Sequence, residues 1–251
     1  MSERRPAAST PDGVVLLHGI GRTARSFRRM ELALRDAGFA TLNLDYDSRR
    51  KGLDSLAEDI HPALDRFAQS LDGSVHFVCH SMGGLLARVY LARHRPARLG
   101  RVVMLGTPNG GSEVADLLQR SLLYRSFYGP AGLQLTTQRD ETLALLPPVD
   151  YAVGIVAGTR ALDPIAWRFV LPRPNDGRVS VARSKLEGMA DHIAVKATHT
   201  GLPRHAAAIR QTIAFLAEGR FDRTAIMPLP SSPRSEYQAT PADSPTSCRH
   251  R

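Results

Sequence analysis

Val75-His76-Phe77-Val78-Cys79-His80-Ser81-Met82-Gly83-Gly84-Leu85-Leu86 decides how this 251-residue chain is read. It begins as an apolar strand, turns sharply at one serine, and continues as a helix that opens on two glycines. A serine hydroxyl is a poor nucleophile until a base takes its proton and a strained, exposed turn presents it. Small residues beside Ser81 suit that turn, because a larger side chain blocks the close approach of backbones. A serine that merely caps a helix is the simpler reading. It accounts for Ser81 alone, and not for the strand before it or for His80 and Met82-Gly83-Gly84 around it.

Outward from the turn, strands alternate with helical stretches, the pattern of a mostly parallel sheet covered on both faces. Val14 to Leu17 and Ala40 to Leu44 read as strands. Arg25 to Ala37 reads as a helix with Phe27, Met30 and Leu34 on one face, stopped at Gly38. Leu53 to Leu71 repeats apolar residues at helical spacing, with Pro62 inside it as a potential kink. Met82 to His94 is the helix after the serine. Arg101 to Leu105, Tyr151 to Ala157 and Ile193 to Thr198 complete the strands.

The reading gives an α/β domain over residues 13–221, with a disordered N-terminus at 1–12. An insertion at 109–149 breaks the rhythm with a leucine-rich helical piece, Glu113 to Tyr124, and the breakers Gly129-Pro130 and Pro147-Pro148. Placed over the ligand crevice it serves as a cap; packed inward, its leucines extend the core. Residues 222–251 are rich in proline, serine and threonine and are expected to be disordered.

Composition narrows the classes. With 43% hydrophobic and 23% charged residues, the chain suits one soluble domain with a sizeable core. No apolar run is long enough to span a bilayer, so no stable membrane insertion is expected. The polar stretch before Val14 argues against a secretory signal, and Cys79 and Cys248 are poorly placed for a disulfide. A cytoplasmic protein is the expectation. The net charge of +9 raises nucleic-acid binding. The charge is nearly all arginine, with lysine only at 51, 185 and 196, and is dispersed among acidic residues. No nucleic-acid-binding signature accompanies it, so no such partner is expected. The oligomeric state is not legible.

Other chemistry-bearing residues follow. Leu17-His18-Gly19-Ile20-Gly21 ends the first strand beside the serine turn, and the amides of Ile20 and Met82 are the expected oxyanion donors. His18, Gly19, His80 and Gly83 are read as support for these loops. An acid and a base are sought after Ser81. Asp176, in Pro174-Asn175-Asp176-Gly177, sits where a carboxylate can orient an imidazole from the C-terminal edge of the sheet, although Asp-Gly is also an ordinary hairpin turn. Of three candidate bases, His199 falls just past the last strand, at that same edge. His192 lies at the strand's other end, and His205 opens the final helix. Arg22, Arg25 and Arg29 fall on one helical face near the oxyanion loop; they read first as a solvated face and second as an attraction for an anionic headgroup.

Together these segments resemble the α/β-hydrolase superfamily, in particular its small bacterial lipase-like and esterase-like members. The matching residues are His18-Gly19, His80-Ser81-Met82-Gly83-Gly84, Gly106-Thr107-Pro108-Asn109-Gly110-Gly111-Ser112, Asn175-Asp176-Gly177 and His199, from about Val14 to Phe221. The chain departs from Gly-x-Ser-x-Gly at Cys79, which stands at the first glycine. The resemblance implies Ser81, His199 and Asp176 as a catalytic triad cleaving carboxylic esters of small molecules or lipids, with no cofactor and no metal; the leucine-rich insertion favours lipid-like or apolar acyl groups over peptides. Amide or thioester hydrolysis and acyl transfer use the same residues and remain open. A catalytically inactive interaction protein is disfavoured because every candidate is present.

Overall fold

The computed structural model describes residues 11–111, 148–161 and 171–224. Most of the insertion read at 109–149, including its leucine-rich piece, lies outside the described residues. So do residues 1–10 of the N-terminal stretch and 225–251 of the tail.

Six strands form one sheet in the order β2-β1-β3-β4-β5-β6, and every neighbouring pair is parallel. The strands are β1 (Gly13–Leu17), β2 (Ala40–Leu44), β3 (Val75–His80), β4 (Leu99–Leu105), β5 (Val153–Gly158) and β6 (Asp191–Val195). β1, β3 and β5 are buried along their whole length, as continuous apolar runs require in a sheet covered on both faces.

Side-chain alternation divides the core into two layers. Val15, Leu17, Phe77, Cys79, Met104 and Ile155 face α2 (Leu53–Gln69) and α3 (Met82–Arg93). Val14, Leu16, Val78, Val103, Leu105 and Val156 face α1 (Arg28–Asp36) and α5 (Ala206–Glu218). A one-residue slip of β3 would exchange the two sets, so register is fixed by packing. α3 is buried nearly all round, including Leu85, Leu86, Val89 and Tyr90. α2 runs through Pro62 without interruption. Among the described residues, no helix is long and apolar enough to cross a membrane.

Several element boundaries differ from the sequence reading: β4 begins at Leu99, two residues before the expected Arg101, and α2 ends at Gln69 rather than Leu71. The helix expected from Arg25 begins as a 3₁₀ turn, Ala24–Phe27, and becomes α-helical only at Arg28. The first turn is tightened locally. Asp45 Oδ1 accepts from the Ala24 amide at 2.7 Å, and the Thr23 carbonyl accepts from the Ser26 amide at 3.0 Å. β5 starts at Val153 rather than Tyr151. β6 spans Asp191 to Val195, because the chain then leaves the sheet: the Arg160 amide donates to the Ala197 carbonyl and the His199 amide to the Asp176 carbonyl. That departure carries His199 to the C-terminal edge. A short helix α4 (Val181–Ser184) precedes β6.

Candidate active site

Ser81 lies between β3 and α3 with φ 54° and ψ −124°, and it is the one non-glycine residue at positive φ among those described. Such backbone costs a side-chain-bearing residue on the order of 1–3 kcal/mol, and persists only where surrounding structure enforces it. Here the Ser81 amide donates to the Leu105 carbonyl of β4 at 2.9 Å, and its carbonyl accepts from Gly84 at 3.0 Å. A Cβ at Gly83 would run into the backbone carbonyls of Leu17 and His18, so glycine lets α3 close on β1. Cys79 is fully buried in this packing, and burial pushes its thiol far above the ordinary cysteine range.

The structure brings Ser81, His199 and Asp176 together. His199 Nε2 is 2.9 Å from Ser81 Oγ, and His199 Nδ1 is 2.8 Å from Asp176 Oδ2. A carboxylate only accepts, so Nδ1 carries the proton and Nε2 is left to accept from the serine hydroxyl. Asp176 is buried with its second oxygen satisfied: Oδ1 accepts from the Arg178 amide at 2.9 Å and the Val179 amide at 2.8 Å. Gly106 runs beside the pair at φ 57°, where a Cβ would come within 3.1 Å of Asp176 Oδ2 and 3.3 Å of His199 Nδ1.

His80 points into the same cluster. Its Nε2 lies 2.9 Å from the His199 carbonyl, and Nδ1 has no partner among the described residues. Burial and the charges of His199, Arg22 and Arg178 hold its imidazole well below the usual histidine range, so it is neutral at pH 7. Nε2–H then donates to the carbonyl and fixes the turn into which His199 is built.

The loop after β1 is strapped from β2's C-terminal end. The Arg22 amide closes a turn onto the Gly19 carbonyl at 3.1 Å, and the Gly21 amide donates to Ser48 Oγ at 3.0 Å. Tyr46 donates its hydroxyl to the His18 carbonyl, and its ring stacks on His18 at 4.0 Å with a 7° interplanar angle. His18 Nδ1 lies 2.9 Å from the Gly19 carbonyl, and burial lowers this imidazole's pKa. Ile20 lines the same cleft as Ser81, and Met82 follows the serine directly in the chain. Met82 opens α3, so its amide has no acceptor one turn back. A cleft of about 220 Å³ above Ser81 is walled by Gly19, Ile20, Arg22, Arg178, His199 and Thr200, among others.

His192 and His205 are not part of this cluster. His192 Nε2 lies 3.3 Å from Ser184 Oγ, near the start of β6, and His205 precedes α5. Sequence reasoning missed Tyr46, Ser48 and Arg178. Tyr46 follows a strand adjacent to β1, which is the one sequence signal for it; its stacking on His18 is a property of the folded chain.

A parallel sheet whose middle strand delivers a serine at positive φ to the first turn of a buried helix defines an α/β hydrolase. The sequence profile of the alpha/beta hydrolase fold family matches residues 13–144, more than half of the chain, and the chain belongs to that family. Among solved structures it is similar to a lipase of Bacillus licheniformis in its mature form. There the identity is 18%, with 85% of this chain and 94% of that chain covered, at a TM-score of 0.67. A metagenomic carboxyl esterase matches at 21% identity over 80% of this chain and 69% of that one, TM-score 0.63. A thioesterase of the prodiginine biosynthetic pathway of Streptomyces coelicolor matches at 18% identity over 86% and 91%, TM-score 0.57. At these identities the likeness is one of fold. No curated protein sequence matches significantly.

Proposed function

We propose that the chain is a serine hydrolase of carboxylic esters, with Ser81 as nucleophile, His199 as general base and acid, and Asp176 orienting His199. The observation that carries this reading is the continuous hydrogen-bonded chain from Ser81 Oγ through both His199 nitrogens to Asp176, at 2.9 and 2.8 Å. Ser81 Oγ attacks the ester carbonyl carbon as its proton passes to His199 Nε2. The oxyanion is met by the amides of Ile20 and Met82, each worth about 3 kcal/mol in the transition state. The tetrahedral species collapses, the C–O bond to the alcohol breaks, and Nε2 returns the proton to the leaving oxygen. Water then enters and gives a proton to Nε2. Its oxygen attacks the acyl carbon, and Ser81 Oγ departs with that proton. Asp176 stays ionised throughout and stabilises the imidazolium.

The test is Ser81→Ala. Turnover of p-nitrophenyl butyrate is expected to fall by at least about 10⁴-fold, with fluorophosphonate labelling lost and the circular dichroism spectrum unchanged. Labelling at wild-type stoichiometry in this variant would remove Ser81 from the role.

A further inference from the structure

The +9 net charge of this chain is not evenly neutralised. Many surface arginines hold a carboxylate: Arg35 with Glu31, Arg93 with Asp54, Arg95 with Asp150 and Arg223 with Asp191. Among the arginines around the mouth of the Ser81 cleft, Arg22, Arg25 and Arg204 are different. Arg22 walls the cleft itself and also a second cavity of about 390 Å³, which shares Gly21, Arg22, His80 and Thr200 with the first and adds Arg25 and Arg204. Arg22, Arg25 and Arg204 are exposed and have no carboxylate partner among the described residues. Arg178 walls the cleft from the opposite loop.

Among the described residues, no aspartate or glutamate lines either cavity. Asp45 lies nearby but lines neither cavity; its Oδ1 accepts from the Ala24 amide at 2.7 Å and stands 3.5 Å from His18 Nε2. Guanidinium groups gathered at one opening repel one another until an anion joins them, and their planar forks match carboxylate and phosphate oxygens in pairs. The backbone of Arg22 is anchored at the cleft, because its own amide closes the turn that presents Ile20. The charges of Arg22 and Arg178 are both felt at His80, one residue from the nucleophile.

The geometry points to an anion subsite centred on Arg22, which makes the preferred substrates of Ser81 esters that carry a carboxylate or phosphate within a few atoms of the scissile carbonyl. This rests on the hydrolase reading above and names the substrate class of the same site. Arg29, grouped with Arg22 and Arg25 on sequence grounds, lines neither cavity.

Two matched pairs of esters test it on the full chain. p-Nitrophenyl hemisuccinate against its methyl ester places the charge in the acyl group. 4-Carboxyphenyl butyrate against its methyl ester places it in the alcohol. The charged member of at least one pair is expected to show a kcat/KM about tenfold higher, and Arg22→Gln should erase that preference, lowering kcat/KM for the charged ester about tenfold more than for its neutral partner. The pair that responds identifies the side on which the anion sits. Equal rates in both pairs, or a preference that survives Arg22→Gln, overturns the subsite.

Should wild type cleave none of the four, the hydrolase reading fails, and the subsite is judged by calorimetry with p-nitrophenyl hemisuccinate on the Ser81→Ala protein. Loss of about tenfold in affinity on adding Arg22→Gln supports it. Unchanged affinity, or no binding to Ser81→Ala, overturns it.

Discussion

At the start of β3, His76 is buried beside Asp12; at the opposite edge of the sheet, His199 is buried beside Asp176. The residue pair is the same and the consequences are not. His76 Nδ1 accepts from the Arg101 amide at 2.8 Å, leaving only Nε2 to face Asp12 Oδ2 at 3.5 Å. Asp12 is 46% exposed, and its other oxygen caps the Ser74 amide. That imidazole is spent on backbone. His199 turns Nδ1 to a carboxylate that is 1% exposed, and so keeps Nε2 for a hydroxyl. A histidine–aspartate pair becomes chemical machinery only when one ring nitrogen is left for a group that needs its proton moved.

Substitution at the two histidines should separate these roles most widely. His199→Ala is expected to lower kcat by about 10⁴-fold while changing the thermal midpoint little. His76→Ala should leave kcat near wild type and cost about 1–3 kcal/mol of stability, because the Arg101 amide loses its buried acceptor. Urea titrations and esterase rates measured on the same preparations decide it. Comparable kinetic losses in both variants would break the distinction drawn here.

A smaller effect sharpens the account of the chemical edge. Tyr46→Phe keeps the ring stacked on His18 and removes only the bond to the His18 carbonyl. A looser Ile20 amide should lower kcat by about tenfold with KM little changed. A fall in stability without any change in kcat would assign Tyr46 to packing alone.

The smallest effect concerns pH and both edges together. Burial first of all depresses the imidazoles of His18, His76 and His80 below the ordinary value of 6.5. Below that value the unfolded chain takes up protons that the folded chain refuses, so unfolding gains on folding as pH drops. Stability is therefore expected to be fully present above about pH 6.5 and to decline beneath it, with a gentler slope in His76→Gln. Urea midpoints from pH 5 to 8 supply the measurement, and a flat wild-type profile would contradict the assignment.

The sheet was readable because its strands announce themselves. Val14 to Leu17 and Val75 to Cys79 are apolar runs that only a doubly covered sheet can bury, and the helix periodicity of Leu53, Leu56, Ile60 and Leu64 is unambiguous. Ser81 was readable from its neighbours for the same reason. The proposed acid and base were harder. Asp176 and His199 sit in loops, where no periodicity constrains them, and their approach depends on the His199 amide reaching the Asp176 carbonyl at 3.0 Å. Boundaries moved where side chains compete with regular structure, as Asp45 does at Ala24. Tyr46 and Arg178 were invisible because their importance is positional: nothing in residue type marks a tyrosine that stacks on His18 or an arginine that overhangs a cleft.

The backbone at Ser81 has one further consequence. Left to itself, a serine relaxes out of that conformation, so only the neighbouring strand and the close-fitting helix keep the hydroxyl aimed. On the proposed mechanism, any fluctuation that parts β3 from β4 at Leu105, or lifts α3 from β1, disarms Ser81 before the chain has unravelled. On that proposal chemical competence is a readout of tertiary integrity, and a partially opened molecule is silent rather than indiscriminately reactive.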